Sequence, residues 1–149
     1  MGLVSILAVT APCFAASDLN IGAWKLDEAK SQIPAGTVKD LTVVYAITGN
    51  NVKVTVDGVD GNGKPIHTEW TGKYDGKDYP VTGDPDADMR SYSRISDHTL
   101  ALNETKRGRV TRTGRIDISP DGKTRRVMTT EIDAGIRIKG TTFQYYEKR

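Results

Sequence analysis

The chain has 149 residues, 37% hydrophobic and 27% charged, with a formal net charge of +2. This suits one soluble globular domain, being too apolar for a disordered chain and too polar for a helical membrane bundle. The charge is too small to announce a nucleic-acid partner, the single Cys excludes a disulfide framework or a Cys-based zinc site, and two His argue against a His-rich metal centre.

Met1 to Ala16 reads MGLVSILAVTAPCFAA and carries no charged residue. An apolar run from Leu3 to Ala11, then a Pro and small residues, has the form of a secretory leader, although the basic residue that usually opens one is missing. Small residues at Cys13 and Ala15 place the cut after Ala15, with Ala16 the near alternative. The run is shorter than the roughly 20 apolar residues of a membrane span. Pro12 before Cys13 argues against a lipid anchor. The expectation is a cleaved leader over 1–16 and one domain over 17–149, periplasmic or secreted, with no integral membrane span.

Leu26 to Ser31 offers at most one helical turn. From Lys39 on, the period is two, the mark of half-buried strands. Leu41, Val43, Tyr45 and Ile47 alternate with Asp40, Thr42, Val44 and Ala46. After Gly49-Asn50-Asn51, a hairpin signal, Val52, Val54 and Val56 alternate with Lys53, Thr55 and Asp57. Ile66, Thr68, Trp70, Gly72 and Tyr74 then share a face, opposite His67, Glu69, Thr71 and Lys73. A longer connection, Asp78 to Asp86, follows. Strands resume at Met89–Ile95, Thr99–Thr105, Arg109–Ser119, Thr124–Asp133 and Ile136–Glu147, joined by short turns rich in Gly, Asp and Pro. About eight antiparallel strands in a meander close most economically into an up-and-down barrel, which removes exposed edges. An open sheet or a sandwich is the alternative.

Gly22-Ala23-Trp24, just before the meander, resembles the first motif of the lipocalin and calycin barrels. The chain also resembles small exported bacterial proteins described as lipocalin-like. The stretches that carry this are Gly22–Ser31, Val52–Pro65, Tyr74–Asp88 and Tyr145–Arg149, of which Tyr74–Asp88 is the most specific. The resemblance implies that Trp24 plugs one end of the barrel under a basic side chain from a late strand, with Arg137 and Lys139 among the candidates. The chain departs from true lipocalins in lacking a disulfide and a clear C-terminal helix. The resemblance implies export and a fold, and no ligand or catalytic residue.

Asp84, Asp86 and Asp88 alternate as in the opening of a calcium loop. However, Met89 stands where that loop has Gly and Ile95 where it has Glu, so an acidic turn is the better reading and no metal is expected. His67 and Glu69 lie on the face opposite Trp70 and read as a solvated polar pair. Lys106 to Arg126 is rich in scattered Lys and Arg without interleaved aromatics, which suits an exposed hairpin paired with the acidic loop better than single-stranded nucleic acid. Arg90, Tyr92 and Arg94 share a face. If Tyr92 and Leu102 point inward, so do both arginines and Glu104, and a charge in a small barrel must be paired or hydrated. An Arg–Glu pair, or an Arg offered to a ligand carboxylate, would satisfy that.

The leading expectation is a lumen that binds a small, partly apolar or amphipathic ligand, one bearing a carboxylate being the natural partner of those arginines. Its aromatic lining is expected from Tyr45, Trp70, Tyr74, Tyr92, Phe143 and Tyr145, with Val54 and Leu102 between them. Its polar anchors are expected from Arg90, Arg94 and Glu104. A lumen enzyme (isomerase, cyclase or hydrolase) using acid–base residues is a second possibility, and a filled barrel acting as an interaction module a third. No cofactor is expected, and the oligomeric state is left open.

Overall fold

The computed structural model describes residues 18–133 and 136–149; the expected leader over 1–16 lies outside them. Among the described residues ten strands form. They are β1 (Gly22–Gln32), β2 (Lys39–Thr48), β3 (Asn51–Val59), β4 (Pro65–Gly72), β5 (Tyr79–Thr82), β6 (Met89–Ser96), β7 (Thr99–Lys106), β8 (Arg109–Ile118), β9 (Thr124–Asp133) and β10 (Arg137–Lys148). Each pairs antiparallel with its neighbours in sequence, and β1 also pairs with β10, so the sheet closes into a barrel. No helix forms among the described residues, and so none is long and apolar enough to cross a membrane.

The count is ten rather than about eight because two strands carry no alternation. β1 runs through Leu26–Ser31, where one helical turn was the sequence expectation. The turn-like bonds do exist: Asp27 accepts from the Lys30 amide at 3.2 Å through its carboxylate and from the Ser31 hydroxyl at 2.7 Å through its carbonyl. They sit in an irregularity of the β1–β10 register between Asp27 and Gln32, which the strand tolerates. β5 is four residues inside the expected long connection, with two paired positions toward β4 and two toward β6. Gly83 ends it at φ +79, and a Cβ there would lie 1.9 Å from the His67 carbonyl oxygen. Only Gly permits that approach.

Alternation sends one side chain in two inward. Trp24, Val43, Tyr45, Val54, Val56, Trp70, Tyr92, Leu100, Leu102, Ile116, Ile118 and Tyr146 fill the interior. One end is plugged by Trp24, fully buried, whose indole N–H donates to the Asn20 carbonyl at 2.9 Å. The basic cover is neither Arg137 nor Lys139. Both begin β10 at the other end of the barrel, since Trp24 pairs with Lys148 at its close. Arg125 of β9 lies over the Trp24 ring at 4.9 Å from the guanidinium carbon, and the Lys148 ammonium at 4.9 Å. Arg125 shares the inward parity of Val127, which places it there.

Burial of the Trp24 ring and its cation–π contacts holds this end shut. Trp24→Ala is expected to lower stability by about 3–5 kcal/mol, the usual cost of truncating a buried large aromatic. Denaturant melts check this, and an unchanged midpoint would contradict the plug.

Candidate functional site

The interior has two halves. Toward the plugged end, rings pack edge to face: Trp70 on Tyr92 at 4.8 Å between centroids, Tyr74 on Tyr92 at 5.9 Å, Tyr45 on Tyr92 at 6.2 Å and Trp70 on Tyr79 at 5.7 Å. The Trp70 indole N–H donates to the Arg90 carbonyl at 2.8 Å, so its one polar atom is satisfied. Arg125 sits among Trp24, Tyr45 and Tyr146 at 4.7–5.0 Å from each ring centre and donates to the Asn20 side chain at 2.9 Å.

Toward the open end, four charged residues stand directly opposite one another on four successive strands: Arg90 on β6, Glu104 on β7, Arg112 on β8 and Glu131 on β9. Arg90 Nε donates to Glu104 Oε1 at 2.7 Å. Arg112 Nη1 stands 3.1 Å from Glu104 Oε2, and its Nη2 stands 3.7 Å from Glu131. Asp84, at the start of the acidic turn, takes the other side of Arg90 at 3.3 Å. The signs alternate along the row, so each buried charge has opposite neighbours. Burial opposes the charge on Glu104, but Arg112 and Arg90 outweigh it and hold its carboxyl below the usual range. For Arg90, burial is the largest single effect, but Glu104 together with Tyr92, Asp84 and Asp40 outweighs it, and the guanidinium stays firmly charged.

Asp40 completes the set from β2. The β2–β3 register slips between Asp40 and Thr42, and a Cβ on the facing Gly58 would lie 2.1 Å from the Lys39 carbonyl oxygen. This bulge turns Asp40 inward, against the strict alternation that put Leu41 inside and Asp40 outside. Among the described residues the Asp40 carboxyl enters no ion pair or hydrogen bond; only its backbone carbonyl is used, by the Tyr146 hydroxyl at 2.9 Å. Burial pushes its carboxyl up, Arg112 and Arg90 only partly offsetting it. Asp84 is raised as well, by burial and then by Glu104.

Between the halves lies about 40 Å³ of free space, bordered by Asp40, Tyr45, Arg90, Glu104 and Arg125. That is room for about three waters. Val38 and Glu131 border both this space and a wider hollow of about 330 Å³ at the open end.

The residues singled out from the sequence are placed as follows. Tyr45, Arg90, Tyr92 and Glu104 border the free space together. Trp70 is buried beneath them, and Tyr74 is half-buried. The Arg90–Glu104 pair forms. Arg94 lies at the plugged end, half-exposed, over the Tyr74 ring at 5.2 Å and 3.3 Å from Asp18. Phe143 and Tyr145 have the opposite parity to the buried Thr142, Gln144 and Tyr146, so they sit on the outer face. Aromatics on both faces of β10 left its parity open. The acidic turn is divided: Asp84 points to Arg90, while Asp88 accepts from the Arg107 amide at 2.9 Å. Among the described residues no His, Cys, Asp and Glu group could hold a metal ion. His67 lies outside between Asp57 at 2.6 Å and Glu69 at 3.4 Å, and the hydrogen bond to Asp57 raises its pKa. Sequence reasoning missed Asp40, Arg112, Arg125 and Glu131. Parity with Ile116 and Val127 marks Arg112 and Arg125; the bulge hides Asp40.

Glu104→Gln is expected to cost about 2–3 kcal/mol, since it removes the carboxylate shared by two guanidiniums and leaves Arg90 only Asp84 and Arg112 only Glu131. Urea melts check it, and a neutral result would contradict the row. Asp40→Asn is expected to act oppositely. A raised folded-state pKa means that ionisation opposes folding above the unfolded carboxylate range, while below it both states are protonated. The variant is therefore more stable than the parent at pH 7, with a gap that closes below about pH 4. An equal or lower midpoint at pH 7 would show that Asp40 has found a cation.

No protein-family model matches the chain, and no curated protein matches its sequence.

Proposed function

We propose that the protein is an exported, lipocalin-like barrel that binds a small, partly apolar ligand through its open end. The carrying observation is the division of the interior. A plugged aromatic floor and a paired ionic wall meet at a free space, and Val38 and Glu131 border both that space and the hollow at the mouth. Pockets combine apolar walls with a few polar anchors, and this arrangement has both. The space of about 40 Å³ takes a head group, and the rest of the ligand reaches the hollow of about 330 Å³ above it, where Val38 and Pro85 stand among Asp60, Asn62, Asp86, Glu131 and Lys139. Trp24 under Arg125 supports the lipocalin-like part of the reading, as the implied pairing of an early Trp with a late basic residue. The apolar run from Leu3 to Ala11 supports export.

The small free volume favours a second reading, the filled barrel serving as an interaction module. A lumen enzyme would need an acid–base group, and Asp40, raised by burial, is the group it would use.

Native mass spectrometry of protein purified from its own host separates these readings. Ligand binding predicts a mature mass without the leader plus a small adduct lost on denaturation. A bare barrel that also ignores apolar probes would leave the filled barrel. A mature protein beginning at Met1 would contradict export.

A further inference from the structure

We propose that the lumen anchors a cationic head group, of the primary-ammonium class, at Asp40. This rests on the ligand-binding reading above and narrows it, replacing the expected ligand carboxylate with a group of opposite sign.

The count of charges points that way. Three guanidiniums, Arg90, Arg112 and Arg125, and three carboxyls, Asp40, Glu104 and Glu131, border the space; Asp84 on Arg90 adds a fourth carboxyl, and the exposed Lys139 stands at the mouth with Glu131. Among the buried and half-buried groups the acids outnumber the guanidiniums by one, which leaves room for a monocation. The arginines are also in use. Arg90 lies between Glu104 and Asp84, and Arg112 between Glu104 and Glu131. A ligand carboxylate would have to displace one of these partners and leave a buried acid uncompensated. Arg125 is held in the plug by three rings and Asn20.

Among the described residues, two acceptors on the same space accept no hydrogen bond, the first in no ion pair and the second ion-paired to Arg112 alone. The Asp40 carboxyl has no partner among the described residues. Glu104 Oε2 is buried on a side chain 1% exposed, and the Arg112 nitrogen 3.1 Å away is not aligned with it as a hydrogen bond. An ammonium carries three N–H donors and no acceptor, which matches this set of oxygens. It also fits about 40 Å³, with its stem leaving past Val38 and Glu131.

The test is calorimetric titration of the mature protein with octylamine, octanoate and octanol, repeated with Asp40→Asn. The amine is expected to bind at least tenfold more tightly than either other probe, and the variant to lose that preference while keeping its fold by circular dichroism. Tighter binding of octanoate would overturn the proposal while leaving lumen binding intact, and would point to Arg125 Nε, a buried donor without a hydrogen-bond partner. Equal affinities, or an Asp40→Asn protein that still prefers the amine, would overturn it too. Failure of all three probes would remove the ligand-binding reading itself.

Discussion

The row Arg90–Glu104–Arg112–Glu131 is the constraint on which the open half of this barrel depends. A single charge in a small interior costs several kcal/mol, and removing Glu104 or Arg112 takes a counter-charge from the neighbours on both sides. The row therefore acts as a unit across four strands. It sets the register of β6 to β9 from within, because a one-residue slip would turn every member outward. Through Asp84 it also reaches the loop before β6, binding the acidic turn to the wall.

The plugged half follows the opposite rule. There one cation, Arg125, is matched by rings and by Asn20 rather than by a carboxylate. Edge-to-face packing of Trp70, Tyr45 and Tyr74 around Tyr92 leaves little space for a ligand to go deeper. The free space lies where the two halves meet, and Asp40 is the carboxyl there that enters no ion pair among the described residues. Asp40 is half-buried, and desolvation holds its carboxyl above the ordinary range.

Much of the fold was legible because alternation, Gly–Asp turns and short joints all agree from Lys39 onward. β1 and β5 were not, for a physical reason. Leu26–Ser31 has local Asp27 bonds that mimic a turn, and Tyr79–Thr82 is too short to show a period. Within the site, Arg90, Tyr92 and Glu104 could be found by parity, since two inward apolar neighbours carry the charges with them. The same reasoning placed Arg94 among them, but it lies near the plugged end of β6, where its side chain covers Tyr74 and meets Asp18 instead. Asp40 was out of reach, because a bulge changes parity without leaving a mark in the hydrophobic pattern. Arg112 and Arg125 were hidden differently, inside a basic stretch that reads as surface until each residue is assigned a face.

The central claim is that the lumen is an ion-paired row with one acid left over. Carbon-13 NMR of the Asp and Glu side-chain carboxyls across a pH titration tests it most directly. The account predicts that Glu104 titrates below the ordinary carboxylate range and Asp40 above it, in the same molecule. An Asp40 that titrates at or below the ordinary value would mean that it is already paired, and would contradict the account.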